Sequence, residues 1–437
     1  MPQPVTIIGG GLSGCECALQ LAARDVAVEL WEMRPAVMTE AHISGNLAEL
    51  VCSNSLKSTD EKRAQGLLKA ELRTLGCRLL GIADGCAIPG GAALVVDRKQ
   101  FSKVVTEAVE SNPLIAVRRE EFTNLPELVE SERPAVIATG PLTSGKLWEQ
   151  IGELVGDGGS YFYDATSPVL SSASVNMNIA FAQSRYGKGG GDDYINCPYD
   201  RQQYAAFRSA LLEAEQYPLS KGDDYLLYEG CLPIEELAQR GEDTMRFGPL
   251  KPKGITDPRT GRWPFACVQL RHEDAFRRAV SLVGFQTRLR FGEQERVFRL
   301  IPGLEQAKFM RYGRMHRNSY LEAPKVLCPT LQLKAAPRLL IAGQLTGLEG
   351  YMNAIATGLW AGRNAAALAS GNQPAVPPER SCLGAMLRFM TSPLHREYRP
   401  TAFQYGMLAW LPEKIRRQQK LELIRSEAEA AWAEMRR

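Results

Sequence analysis

One segment constrains this chain more than any other: Val5-Thr6-Ile7-Ile8 runs straight into Gly9-Gly10-Gly11-Leu12-Ser13-Gly14. The apolar run, rich in β-branched residues, suits a buried parallel strand. Gly9, Gly11 and Gly14 match GxGxxG, and a helical pattern follows with Cys15, Ala18, Leu19 and Leu21. A second strand, Val26 to Trp31, ends in Glu32, at the spacing of about 20 residues that a dinucleotide fold uses. The glycines permit a tight turn and a close approach to a pyrophosphate, whose charge the helix N-terminus faces. The acid accepts hydrogen bonds from a ribose and favours a free 2′-hydroxyl, hence FAD or NAD over NADP.

Two distant segments bear on that choice. Ala135 to Ala138 is a strand ending in Thr139-Gly140, and Arg338 to Ala342 is another, ending in Gly343-Gln344 with Gly347 soon after. Ala354 to Ala369 reads as a small-residue helix in which Gly358 and Gly362 allow close packing. A late strand–glycine–helix unit is the flavoprotein arrangement, which NAD dehydrogenases do not need; two unrelated strand ends are the alternative. The flavin reading makes the nucleotide-binding domain discontinuous: an α/β, Rossmann-like FAD-binding domain from residues 1–183 and 321–437, with an α+β domain inserted at 184–320. The glycine-rich run 187–191 marks the first boundary. Ser58-x-x-Glu61 reads as a capping box opening an amphipathic helix over 60–75. Residues 413–437 read as a charged helix whose stripe of Leu421, Ile424, Ala428, Ala431 and Met435 docks on the protein's own core.

Composition narrows the class. Of 437 residues 45% are hydrophobic and 23% charged, which excludes disorder and fibrous repeats. No run of about 20 apolar residues and no signal peptide is recognisable, so a cytoplasmic chain with no membrane contact is expected. The ten cysteines then read as reduced thiols. Cys15 and Cys17 diverge on a helix, no CxxC occurs, and His42, His272, His316 and His395 have no ligand spacing, so no metal is expected. Two cysteines have unusual settings. Cys52 sits where an apolar run meets the polar turn Ser53-Asn54-Ser55, near backbone N–H groups that lower a thiol pKa. Cys231 lies between Gly230 and Leu232-Pro233, in a loop. On these residues alone each reads as structural before catalytic.

Longer motifs carry a resemblance. LAELVCSNSLKS at 47–58, GGAALVVDR at 90–98, DYINCP at 193–198, YEGCLPIEELA at 228–238, RYGRMHRN at 311–318 and GQLTGLEGYMNAIATG at 343–358 are similar to the folate- and FAD-dependent tRNA (uracil-5-)-methyltransferase family. The resemblance runs from Val5 to about Leu411. It implies a fold like that of glutathione reductase and GidA, the flavoprotein that modifies wobble uridines. It further implies transfer of a methylene group from 5,10-methylenetetrahydrofolate to C5 of a tRNA T-loop uridine, position 54, by a monomer. Reduced FAD supplies the electrons and NADH or NADPH restores it. Uracil C5 becomes nucleophilic once a thiolate adds at C6, and a base must later remove the C5 proton. The resemblance implies Cys52 and Cys231 as the pair, with Cys52 the nucleophile and Cys231 the general acid/base; the reverse division stays open. It places FAD against Gly9, Gly10, Gly11, Leu12, Ser13, Gly14, Glu32, Arg34, Gly140, Gly343, Gln344 and Gly347, and folate against His316, Arg317 and Asn318.

Leu47, Asn353, His272-Glu273-Asp274 and the segment 402–411 depart from the family's pattern. They leave in view a sibling acting on a ribosomal RNA uridine; a flavin oxidoreductase for a small molecule is a separate alternative. The net charge of +3 hides an uneven distribution that favours RNA. Arg246 to Arg317 holds 16 Lys+Arg against 6 Asp+Glu, a local +10, and the rest of the chain 36 against 43, or −7. Such clustering supplies phosphate contacts and steers RNA. Of the aromatics within it, from Trp263 to Tyr312, most read as core.

Overall fold

The computed structural model describes residues 4–131, 133–218, 227–412 and 414–435. Strand β1 (Val5–Ile8), the Leu12–Ala22 helix and β2 (Val28–Trp31) open the chain in the order the glycine motif demands. A small antiparallel sheet follows, made of β3 (Ser55–Ser58), β4 (Ala87–Ile88) and β5 (Ala93–Val96). The chain then returns as β6 (Ile115–Arg118) and β7 (Ala135–Ile137), parallel neighbours of β2 and β1. Between β3 and β4 the amphipathic helix runs over Ala64–Thr74, capped at Arg63 with no side-chain hydrogen bond. The expected capping box therefore does not form, because Ser58 is taken up as the last residue of β3.

Strand β8 (Gly159–Ala165) leads out of this layer. A second, antiparallel sheet is built from β9 (Val169–Ser171), β10 (Phe181–Ala182), β11 (Tyr194–Tyr199), β12 (Ala266–His272), β13 (Ala279–Leu282) and β14 (Phe309–Arg311). Strand β15 (Met315–Leu321) leads back, paired antiparallel with β8 from Met315 opposite Ala165 to Leu321 opposite Gly159. Strands β16 (Gln332–Leu333) and β17 (Ala336–Ile341) complete the first sheet in the order β16-β17-β7-β1-β2-β6. The Tyr351–Ala369 helix packs on the Leu12–Ala22 helix. A Cβ on Gly358 would overlap the Ser13 carbonyl oxygen, and one on Gly362 would lie 2.8 Å from that of Cys17. Both glycines do what the sequence suggests.

This is the discontinuous nucleotide-binding architecture with an inserted unit. One apolar core joins residues on both sides of the insertion, from Val5 to Phe162 and from Tyr320 to Trp432; a second runs from Leu170 to Ala307. We place the boundaries at the β8/β15 ribbon rather than at 184 and 320. Val175 and Ala180 already pack in the second core, and the 187–191 run is a loop between β10 and β11. Glycine content marks a turn; it does not say on which core the flanking residues pack. The last described helix, Arg417–Met435, docks by Ile424, Ala428 and Trp432, whose ring centroid lies 5.7 Å from that of Trp360. Residues 413, 436 and 437 of the expected helix lie outside the described residues, and Met435, expected on the buried stripe, is 39% exposed.

Candidate active site at the junction of two clefts

The first cleft, of about 1020 Å³, follows the carboxyl ends of β1, β2 and β7, where α/β sheets hold ligands. Gly9, Gly11, Leu12, Ser13, Glu32, Arg34, Gly140, Gly343 and Gln344 line it. Nothing would meet a Cβ on Gly11 within 4 Å, so that backbone is open to a ligand. Among the described residues, neither the buried Ser13 Oγ at the start of the Leu12–Ala22 helix nor the buried Trp31 Nε1 at the end of β2 has a hydrogen-bond partner. A helix N-terminus with an orphaned hydroxyl and a bare glycine fits the pyrophosphate of a dinucleotide.

Gly10, Gly14 and Gly347 are not among the lining residues and are closely packed by their neighbours. A Cβ on Gly14 would overlap Gly9, and one on Gly347, at φ +76°, would overlap the Tyr398 ring. Gly10 is pressed against Leu47, and its N–H donates to Glu32 Oε2 at 2.8 Å. The Arg34 Nε donates to Glu32 Oε1 at 2.9 Å in a fully buried pair. Burial raises the Glu32 pKa, but the Arg34 hydrogen bonds and charge outweigh it and hold the carboxyl low.

Tyr351 lines this cleft and also a second one, of about 1360 Å³, whose walls include Lys57, Tyr228, Glu229, Gly230 and Glu349. Its hydroxyl accepts the N–H of Cys52 at 2.9 Å and of Ser53 at 3.1 Å. Cys52, which lines neither cleft itself, is thus tied through its backbone to a side chain that both share, and Tyr228 to Gly230, next to Cys231, form a wall of the second. The Cys52 thiol donates weakly to Ala165 O at 4.0 Å. Burial and the negative charge of Asp164 push its pKa up to about 12. The expected lowering is thus reversed, because burial of the thiol and the Asp164 charge outweigh the nearby guanidinium groups of Arg98, Arg311 and Arg271. Cys231 receives a hydrogen bond from Gln286 Nε2 at 3.9 Å, and burial, then Asp164, then Cys52 raise its pKa as well.

Asp164 is the charge the two thiols share. It lies on β8 directly opposite His316 on β15, so both point from one face of the ribbon. Burial raises its pKa, against the pull of His316. Asn318 shares that face, with Oδ1 buried and unpartnered among the described residues. Arg317 faces the other way, its guanidinium 4.1 Å above the Tyr161 ring. The ribbon packs against the Gly140 and Gly343 turns of the nucleotide cleft, but none of His316, Arg317 and Asn318 is among the residues lining that cleft.

Cross-unit contacts hold the Cys52 loop. Asn54 donates to Val96 O at 3.0 Å and His272 O at 2.9 Å, and accepts from Arg271 Nε at 2.7 Å. Arg271 Nη2 reaches Ser53 Oγ at 2.8 Å. Arg98 binds the carbonyls of Leu50 and Val51 and pairs with Glu273 at 2.7 Å. Glu273, one of the departures from the family's pattern, thereby braces the loop. Gly91 N–H donates to Asp193 at 2.6 Å, and Asn353 Nδ2 donates to Glu349 O. The segments 47–58, 90–98, 193–198 and 271–273, far apart in the chain, meet at this seam. Tyr351, Asn54 and Arg98 lay inside motifs noted in the sequence; Asp164 carried no local signal, since only the β8/β15 pairing brings it to the site. Among the described residues no three His, Cys, Asp or Glu side chains are grouped to hold a metal ion.

Residues 4–373 match the family model described as glucose inhibited division protein A. The chain is 47% identical over 433 residues to the methylenetetrahydrofolate–tRNA-(uracil-5-)-methyltransferase TrmFO of Moorella thermoacetica, covering 99% of this chain and 98% of that one. It is 48% identical over 435 residues to the enzyme of the same name from Geobacter sulfurreducens, covering 100% and 98%. Among solved structures, GidA of Aquifex aeolicus superposes with a TM-score of 0.69 at 17% identity, covering 98% of this chain and 76% of that chain, a likeness of fold. With near-complete coverage at almost half identity, the chain belongs to the folate-dependent tRNA (uracil-5-)-methyltransferase family, within the wider GidA group.

Proposed function

We propose that this chain methylates C5 of a tRNA uridine, position 54 of the T-loop, with the one-carbon unit drawn from 5,10-methylenetetrahydrofolate. Family membership supports the reaction class. The observation that carries the residue assignment is the double role of Tyr351, which lines both clefts and holds the Cys52 backbone between them. FAD, held by Gly9, Gly11, Ser13, Glu32, Gly343 and Gln344, supplies the electrons that turn methylene into methyl, with NADH or NADPH as their source. The uridine enters by the second cleft, where Cys52 attacks C6 and Cys231 manages the C5 proton. A thiol pushed up to about 12 needs a base, and Asp164, whose own proton affinity burial raises, is the acceptor both thiols share. His316 and Asn318 face the folate. Among the described residues no helix is long and apolar enough to cross a membrane; we read the enzyme as a cytoplasmic monomer.

The test is incubation with unmodified tRNA transcript, methylenetetrahydrofolate, FAD and NADPH, followed by nuclease digestion and mass spectrometry. We expect 5-methyluridine at position 54 in the wild type and none in Cys52→Ala or Cys231→Ala. Product on ribosomal RNA alone, or flavin turnover indifferent to RNA, would overturn the reading.

A further inference from the structure

Three guanidinium groups act on Cys52, and two are held by named partners, although Arg98 Nη2 has only its ion pair with Glu273 and no aligned hydrogen bond among the described residues. Arg98 is taken by Glu273 and the carbonyls of Leu50 and Val51; Arg271 is taken by Asn54 and Ser53. The third, Arg311, closes β14 opposite Val169. Its Nε and Nη2 are shut off from solvent, and among the described residues neither has a hydrogen-bond partner. Its surroundings act on it as a crowded cation: burial lowers its pKa, the charge of Arg98 lowers it further, and Glu273, Cys52 and Tyr351 oppose them.

A guanidinium edge with two adjacent free N–H groups is shaped for a planar oxygen acceptor, and leaving such donors buried and unpaired is costly. The methylation chemistry creates one such acceptor next to the thiol. When the sulfur adds at C6, an S–C6 bond forms and the C5–C6 π bond breaks. The electron pair moves through C5–C4 onto O4 as an enolate. When C5 then attacks the methylene carbon of the folate iminium, a C5–C bond forms, the C=N π pair moves onto the folate nitrogen, and C4=O4 is restored. No proton leaves the guanidinium.

We infer that Arg311 is a catalytic residue whose unpartnered Nε and Nη2 donate to uracil O4 as the enolate forms beside Cys52. This rests on the uridine-methylation reading and gives that site its oxyanion donor. In other sites, removing a donor of this kind costs about 10²–10³-fold in rate.

The experiment follows covalent adduct formation between FAD-loaded protein and a T-arm RNA carrying 5-fluorouridine, on denaturing gels at saturating RNA. Arg311→Gln is expected to form the adduct about 100-fold or more slowly. The loss should lie in the limiting rate, not in the RNA concentration giving half of it, and Arg311→Lys should recover part of it. Adduct formation at the wild-type rate in Arg311→Gln overturns the inference. So does an unchanged adduct rate with slowed flavin reduction by NADPH, which would assign the guanidinium to the flavin. The same holds for an unchanged adduct rate with slowed consumption of methylenetetrahydrofolate, which would assign it to folate. If Arg311→Gln does not retain FAD, Arg311→Lys decides, with a rate within twofold of wild type overturning the inference. No adduct with the wild type itself would remove the uridine reading, and this inference with it.

Discussion

A thiol pushed up to about 12 is neutral at pH 7, and the thiolate fraction of Cys52 grows about tenfold per pH unit below that value. Alkylation of Cys52 by iodoacetamide, followed by peptide mapping, should therefore accelerate steadily from pH 7 to pH 10 without a plateau; a plateau near pH 8.5 would contradict the burial argument. Asp164 belongs to the same calculation. Asp164→Asn removes the acceptor but keeps shape and backbone bond, so we expect fluorouridine adduct formation to fall about 10²–10⁴-fold while FAD is retained; gel assay and flavin absorbance check both. At this scale the sequence was legible where backbone geometry decides and illegible where burial does. Gly9, Gly11 and Glu32 were readable because a turn and a strand end fix them. The sign of the Cys52 shift was not, because it depends first on burial and then on Asp164, brought in on another element.

Among elements, the crossing of the Leu12–Ala22 and Tyr351–Ala369 helices sets the floor of the nucleotide cleft. Gly358 stands against the backbone of Ser13, with no flexible side chain to give way. Gly358→Ala should lower unfolding stability by about 1–3 kcal/mol and weaken FAD retention, as the helices part and Ser13 shifts. Gly152→Ala is the control: it lies inside the Gly145–Val155 helix with nothing within 4 Å of a Cβ, and should stabilise by about 0.5–1 kcal/mol. Denaturant titration and flavin release measure the pair. The close packing was foreseeable from small residues at helical spacing. The start of the Ala64–Thr74 helix was not, since the capping pattern at Ser58 is a local signal and pairing of Ser58 with Ala93 of β5 overrode it.

Across the whole molecule, much of the basic surplus between Arg246 and Arg317 is spent locally. Arg246, Arg259, Arg278, Arg288, Arg290, Arg296 and Arg299 each pair with a carboxylate. Lys251, Lys253, Arg262, Arg277, Lys308 and Arg314 are exposed and, among the described residues, have no ion pair. If these contact phosphates, log affinity for tRNA should fall against log salt with a slope of about −4 to −5, and FAD should stay bound. Filter binding between 50 and 300 mM salt measures it, and a flat response would remove RNA from this face. Charge counting located the basic unit but overstated its free charge, because partners close in space are not visible in a net sum. The aromatics divide likewise: Phe285 and Phe298 are core, as expected of most, while Trp263 is 56% and Phe276 77% exposed.

The interrupted first sheet also sets a timetable. β1 and β7 are synthesised early, but their partner β17 and the helix that closes against Ser13 lie beyond the whole second unit. A ribosome adding about 5–20 residues per second exposes the glycine turn long before anything can cover it. The second unit, entering and leaving through one paired ribbon, can fold in that interval without disturbing the waiting half. Flavin can therefore be captured only near the end of synthesis, and a chain truncated before Tyr351 should emerge colourless however well its first half is made.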